Sequence, residues 1–349
     1  MLKRLSEYRS ILVRLPNALG DAVMATPFLR RLAAAAPDAG ITVCGPRTSI
    51  EVLTPSPWFK RAILDDKKGR HRGLSGVIRM ARELETERFE LALILPNSFR
   101  TALICRLADI PARVGYFREL RRGLLTAGKA RDVDEHGRFA PKYTGRYFDE
   151  LLDLFPATPR GSMHPELFTD EEGEREFSHW SAGSGYEPGR PLLIVAPGAA
   201  FGPSKIWLVD RYAAVTDELA RHKNAQALVS FGPGEEAVAA AVKSHMKTKP
   251  LADARLSLKG LKALYRRAAF VLTNDTGPRH LAVAFNIPHV TIMGPNDPRY
   301  TNLASERGEV VRMEVPCSPC QLKVCPLPEQ ICMTHLTAGH VLERCVANW

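Results

Sequence analysis

The sequence predicts an α/β fold of two doubly wound lobes, and three observations predict it: a length of 349 residues, a strand, loop, helix rhythm that runs through the chain twice, and a loose, glycine-containing break near the middle. A chain this long exceeds what one hydrophobic core usually supports. Strands that alternate with helices predict parallel sheets covered by helices.

The first lobe opens on Ile11-Leu12-Val13, a strand-sized apolar run, followed by the turn-prone Pro16-Asn17-Ala18-Leu19-Gly20 and an apolar-periodic helix over 22–35. Further strands are expected at 41–44, 62–64, 91–95 and 113–116, with helices at 77–85, 98–107 and 143–155. Thr169-Asp170-Glu171-Glu172 reads as a helix start, and Ser181-Ala182-Gly183-Ser184-Gly185 with Pro188-Gly189 reads as a loose connection. The second lobe restarts at Leu192-Leu193-Ile194-Val195-Ala196, then Pro197-Gly198 and a helix over 209–221. Strands at 227–231, 270–273 and 290–293 alternate with helices at 235–245, 258–268 and 279–285. The domain reading is therefore residues 1–170 for the first lobe, 171–190 for a linker, 191–328 for the second lobe, and 329–349 for a terminal helix packing back on the first. Two facing lobes bring both sets of strand-end loops to an interlobe cleft, the default ligand site of such sheets.

Hydrophobic residues at 45% and charged residues at 25% are those of a folded globular chain. The longest apolar runs, 91–95 and 192–196, are far too short to span a bilayer. Glu7, Arg9 and Arg14 interrupt any signal-peptide core after the basic start Met1-Leu2-Lys3-Arg4, so a cytoplasmic location is expected. A net charge of +10 attracts polyanions: nucleic acid, anionic membrane or phosphorylated substrates. A nucleic-acid module would need basic residues interleaved with aromatics, and aromatics are only 7% of the chain with no such interleaving.

Three strand-to-helix loops carry chemistry. In Leu19-Gly20-Asp21, Gly20 permits a tight turn, and Asp21 reads either as a helix N-cap or as a carboxylate facing the cleft. The glycine spacing of a dinucleotide fingerprint is missing there, which counts against an NAD-dependent oxidoreductase. In Gly198-Ala199-Ala200-Phe201-Gly202-Pro203-Ser204-Lys205-Ile206-Trp207, small residues, the Ser204 hydroxyl and the Lys205 cation would suit a diphosphate; a solvated lysine is the plainer alternative. In Asn274-Asp275-Thr276-Gly277-Pro278-Arg279-His280, backbone amides and Thr276 could hold phosphate, leaving Asp275 for a hydroxyl or base edge. A capping turn with a packed His280 explains the same residues. Acidic residues at 235 and 236 suit ribose hydroxyls, or simply a helix's first turn.

Taken in order, Val13-Arg14-Leu15 through Leu19-Gly20-Asp21 with Ala25-Thr26-Pro27, Pro197-Gly198 through Lys205-Ile206-Trp207, Asn274-Asp275-Thr276-Gly277 with His280, and Gly294-Pro295 before Asp297-Pro298 resemble the lipopolysaccharide heptosyltransferase family over nearly the whole chain. The Gly202-Pro203-Ser204-Lys205 wording is more similar to the second heptosyltransferase of core assembly than to the first. The resemblance implies two facing Rossmann-like lobes of the GT-B type and an inverting, single-displacement transfer of heptose from ADP-heptose to a Kdo-lipid A core acceptor. It implies Asp21 as catalytic base and Lys205 as the cation on the departing diphosphate. It further implies Ser204, Glu236, Asp275, Thr276, Gly277 and His280 as donor contacts, with no metal or other cofactor required. Leu208, where a proline commonly follows the tryptophan, and Pro278-Arg279 depart from the family pattern. A family member that glycosylates another glycan or a protein is the alternative.

On the acceptor side, Asn17, Arg118, Arg121 and Arg122 are the candidate contacts, within a basic segment running to Lys129, Arg131, Arg138, Lys142 and Arg146 and joined by Lys67, Lys68, Arg70 and Arg72. The same charge would attract an anionic inner-membrane surface, giving a peripheral contact; a solvated basic face is the plain reading. Cys317-Ser318-Pro319-Cys320 with Cys325 and Cys332 is compatible with a structural zinc, with free thiols or with a disulfide.

Overall fold

The computed structural model describes residues 2–349, which divide into two compact units, one up to Phe168 and one over Thr169–Trp349. Both are α/β, as the rhythm predicts.

The first unit runs β1 (Ser10–Arg14), α1 (Leu19–Met24), α2 (Thr26–Ala35), β2 (Gly40–Gly45), α3 (Arg47–Leu53), β3 (Arg61–Leu64), α4 (Gly73–Glu85), β4 (Leu91–Ile94), α5 (Phe99–Leu107), β5 (Ala112–Tyr116), β6 (Ala127–Lys129) and α6 (Thr144–Asp149). Its six strands lie in the order β3-β2-β1-β4-β5-β6. All pairs are parallel, with Ile11 opposite Ile41 on one side and Leu91 on the other. The central strands are apolar on both faces because helices cover both, so Ile11, Leu12 and Val13 are completely buried. Strand order reverses between β1 and β4, which makes the loops after these two strands the ligand-prone position of this sheet.

Two expected helices are interrupted. The periodic stretch 22–35 breaks at Ala25, because Pro27 has no N–H to continue the ladder; Thr26 Oγ1 donates to the Val23 carbonyl at 2.8 Å across the break. The stretch 143–155 is helical only to Asp149, then makes one 3-10 turn at Leu152–Leu154 before Pro156. Strand β6 has no apolar run to announce it and pairs as a half-buried edge.

The second unit runs α7 (Glu171–Ser184), β7 (Leu192–Ala196), α8 (Val209–His222), β8 (Gln226–Val229), α9 (Glu236–His245), α10 (Leu258–Tyr265), β9 (Phe270–Asn274), α11 (Gly277–Ala284), β10 (His289–Ile292), β11 (Gly308–Val311), α12 (Ile331–Thr334) and α13 (Ala338–Asn348). Its order, β11-β10-β9-β7-β8, is again wholly parallel and reverses between β7 and β9. The edge strand β11 is the second element the sequence does not announce.

Two segments differ from expectation. Residues 171–190, expected as a linker, begin with a full helix, α7, capped by Asp170, which accepts from Gly173 N at 2.9 Å, and closed by Gly185 at φ 83°. This helix packs on α10, where Gly173 lies so close to Lys259 that an added Cβ would stand 2.5 Å from its carbonyl oxygen, and Glu174 takes Arg267 at 2.7 Å. The terminal helix packs within its own unit. Helix α13 lies on α8, β10 and β11, where Val341 and Cys345 enter the core of the second unit and Trp349 stacks on Phe270 at 4.9 Å. The reason is its apolar face, which finds an uncovered flank of its own sheet. Among the described residues no helix is long and apolar enough to cross a membrane.

Candidate active site

In the second unit, the loops after β7 and β9 converge where the strand order reverses. Asn274, the last residue of β9, donates to the carbonyls of Pro197 at 2.7 Å and Gly198 at 3.2 Å, and accepts from the Tyr212 hydroxyl at 2.7 Å. This buried amide joins the two loops. The β7 loop then ends in a 3-10 turn, Pro203–Lys205, which turns Lys205 inward. Its ammonium donates to the Asp275 carbonyl at 2.7 Å, stands 3.2 Å from the Asp275 carboxylate, and lies 4.8 Å from the centre of the Phe201 ring. Lys205 is therefore a buried, oriented cation, 8% exposed, and the solvated alternative is excluded.

Asp275 is not available for a ligand hydroxyl in this arrangement. Its Oδ1 accepts from Arg279 at 3.0 Å and its Oδ2 from Asn296 at 2.7 Å as well as facing Lys205. Burial works against its ionisation, but Lys205, Arg279 and the Asn296 hydrogen bond outweigh it and hold the carboxyl well below the usual range. It is a permanent anion committed to its neighbours.

The remaining expected donor residues separate. Thr276 precedes α11 as its N-cap, yet its hydroxyl makes no capping bond and is buried without a hydrogen-bond partner. Gly277 is the first residue of α11. His280 is buried within α11, and burial, with Arg279 adding to it, pushes its pKa down to about 3, so the ring is neutral. Ser204 spends its hydroxyl proton on the Leu322 carbonyl at 2.6 Å, tying the Lys205 turn to the C-terminal segment. Glu236 is exposed at the start of α9. Its neighbour Glu235 faces the β7 loop instead: it accepts from Gly232 N at 2.8 Å, and a Cβ at Gly198 would stand 2.2 Å from its carboxylate. Two adjacent glutamates at a helix start give no sequence signal of which one turns inward. Arg279, Asn296 and Phe201 are further residues of this cluster that spacing did not single out as site residues.

In the first unit, Asp21 lies in the first turn of α1, the helix that follows β1 at that sheet's reversal, and is partly exposed. It is the third residue of α1, not its N-cap; Ala18 holds that position and Gly20 is helical, so no tight glycine turn forms. Nearby, Asn17 accepts from Lys67 Nζ at 2.7 Å. Behind them Arg14 and Arg100 share the buried Asp65, at 2.5 Å and 2.8 Å.

The expected acceptor arginines divide sharply. Arg121 is fully buried: Nε donates to the Tyr116 carbonyl at 3.0 Å, Nη2 to Asn97 Oδ1 at 3.2 Å, and Nη1 to the Pro96 carbonyl. It braces the loop after β4 against β5 and cannot meet an acceptor. Arg122 is exposed over the Phe117 ring at 5.1 Å, and Arg118 lies over Phe139 at 5.5 Å. Lys129 and Lys142 are engaged by Glu150.

Cys317, Cys320, Cys325 and Cys332 line one cavity of about 90 Å³. Burial, and then the three other thiols, push Cys332 up to about 11. Among the described residues, however, no three His, Cys, Asp or Glu side chains are grouped so as to hold a metal ion. The segment also clamps the Lys205 turn. Ser204 N donates to the Lys323 carbonyl at 3.2 Å, Gln330 donates to the Ser204 carbonyl, and a Cβ at Gly202 would stand 2.5 Å from Lys323 O.

Residues 77–331 match glycosyltransferase family 9 (heptosyltransferase). The chain is 30% identical to lipopolysaccharide heptosyltransferase 2 of Salmonella typhimurium over 87% of its own length and 88% of that protein's, and 28% identical to the Escherichia coli protein of the same name over the same shares. Among solved structures it resembles Escherichia coli ADP-heptose lps heptosyltransferase II, with a TM-score of 0.76 and 25% identity over 97% of this chain and 98% of that one. A glycosyltransferase family 9 structure from Veillonella parvula gives a TM-score of 0.88 at 24% identity, over 100% of this chain and 98% of that one.

Proposed function

The chain belongs to glycosyltransferase family 9, the heptosyltransferases, and from that premise we propose that it transfers heptose from ADP-heptose to a heptose already present on the inner core of lipopolysaccharide. The names of its relatives support the sugar and the acceptor. The observation that carries the donor half is the buried Lys205 ammonium at the reversal point of the second sheet, beside an aromatic ring and an N-terminal helix end.

In the proposed reaction Asp21 takes the proton of the acceptor hydroxyl as its oxygen bonds to the anomeric carbon from the face opposite the ADP. The bond from that carbon to the diphosphate oxygen breaks, and ADP leaves with its new charge beside Lys205. The Thr276 hydroxyl and the Gly277 amide would meet the diphosphate, and Glu235 takes over from Glu236 as the ribose contact. Lys205 supplies the cation, so dialysis against EDTA is expected to leave transfer unchanged.

On the acceptor side, Asn17, Lys67, Arg118 and Arg122 remain the proposed contacts for its phosphates and carboxylates. Leu74, in the first turn of α4, and Leu120, in the turn after β5, are 82% and 98% exposed and lie close in sequence to Arg72 and Arg122. That pairing of apolar tips with cations supports transient contact with an anionic membrane surface.

The experiment is ADP release by the purified protein with ADP-heptose and core acceptors carrying one heptose or none. Turnover with the one-heptose acceptor alone is the expected result; turnover only without heptose would move the protein to the preceding step, and no release with either would refute the reading.

A further inference from the structure

Arg279 departs from the family pattern, and its surroundings give it a task. The guanidinium is fully buried and meets four acceptors: Asp275 Oδ1 at 3.0 Å, Thr301 Oγ1 at 2.7 Å, Asn302 Oδ1 at 2.6 Å and Glu306 Oε1 at 2.9 Å. Asp275 in turn holds Lys205. The result is a buried relay of alternating charge, Glu306, Arg279, Asp275, Lys205, whose last member is the proposed diphosphate contact.

We infer that Arg279 is a positioning residue that keeps the Lys205 charge available to the donor diphosphate by engaging Asp275 from the opposite side. A buried carboxylate facing one cation makes a closed ion pair, strong at low dielectric, and such a pair would compete with an incoming anion. With Arg279 on Oδ1, one carboxylate is divided between two cations, and Lys205 is paired less completely than it would be facing Asp275 alone. Glu306 anchors the far side of the fork and does not touch Lys205. The backbone carbonyl of Asp275 still fixes the ammonium in place, so orientation is kept while the pairing is weakened. A purely structural arginine would only tether α11 to the 301–306 loop.

This inference rests on reading Lys205 as the diphosphate contact, and calorimetric titration of the full chain with ADP and with adenosine separates the two. Lys205→Met should bring ADP affinity down to that of adenosine; unchanged ADP affinity there refutes the reading itself. Arg279→Gln should weaken ADP by about tenfold, an affinity change of about 1.4 kcal/mol, and leave adenosine within about twofold. Because that variant strands the buried Glu306 carboxylate and is at risk of not folding, Arg279→Gln combined with Glu306→Gln keeps the buried charge balanced and should show the same ADP-only loss. Adding Asp275→Asn to Arg279→Gln should restore ADP binding to the level of Asp275→Asn alone, since the capturing carboxylate is gone. Parallel loss of adenosine and ADP, no ADP loss in the charge-balanced variant, or additive losses with Asp275→Asn would each overturn the assignment while leaving the Lys205 reading intact.

Discussion

Arg121 reaches across to the backbone of Tyr116, Nε to carbonyl at 3.0 Å, and so fastens the end of β5 to the loop after β4. Burial draws its pKa down to about 10, which still leaves it charged at neutral pH. Replacing it with glutamine strands several buried carbonyls, and unfolding in urea should reveal a loss of about 3 kcal/mol. Arg122→Gln, on an exposed residue, should stay within about 0.5 kcal/mol of the parent and raise only the acceptor KM. Equal stability of the two variants would contradict this division.

Asp21→Asn tests the proposed base. The substitution is isosteric on a partly exposed position, so the melting temperature should hardly move. Turnover should fall by about 10² to 10⁴, the range of a lost general base, while ADP affinity stays constant. Retained turnover would send the search for the base elsewhere.

Stability should depend on pH through two buried histidines. Burial lowers His280 to about 3 and His289 to about 4. The unfolded chain takes up these protons near pH 6.5, and the folded chain does so only far below, so their contribution is complete above pH 6.5 and is lost as pH falls. Each costs up to about 1.4 kcal/mol per pH unit in that window. His280→Asn should therefore make the stability loss between pH 7 and pH 5 smaller by about 2 kcal/mol. An identical pH slope in urea titrations of parent and variant would rule this out.

Ser204→Ala removes the bond to the Leu322 carbonyl and frees one anchor of the clamp on the Lys205 turn. A buried hydrogen bond of this kind contributes about 1 to 2 kcal/mol. The expected signature is faster amide hydrogen exchange over 200–206 and 320–332, with weaker ADP binding and little change in the first unit. Uniform exchange changes across both units would argue against a local clamp.

The architecture was legible because buried parallel strands such as Leu192–Ala196 are continuous apolar runs with few alternative readings. The edge strands β6 and β11 were not, since half-buried residues such as Gly128 and Glu309 carry no such pattern. For the candidate site, two of the loops singled out in the sequence do converge after β7 and β9, but the direction each side chain takes is not written in the sequence. Lys205 and Asp275 were both visible, yet their mutual bond is a fact of tertiary structure. Arg121 read as an acceptor contact within a basic run, and only the path of the chain after β5 reveals that it is buried. Likewise the C-terminal cysteines left zinc, free thiols and a disulfide open, and nothing in their spacing shows that the backbone around Leu322 and Lys323 meets the Lys205 turn.

The bond between Lys205 and Asp275 joins residues 70 positions apart, and it exists only once β9 has paired with β7. Such non-local parallel pairing is slow to form during folding. The grip on the lysine is therefore among the last features of the second unit to be assembled, and a collapsed intermediate with helices but an unfinished sheet would have no affinity for ADP. Recovery of nucleotide binding after dilution from denaturant should lag behind recovery of helical circular dichroism, making ADP a timer for the closing of that sheet.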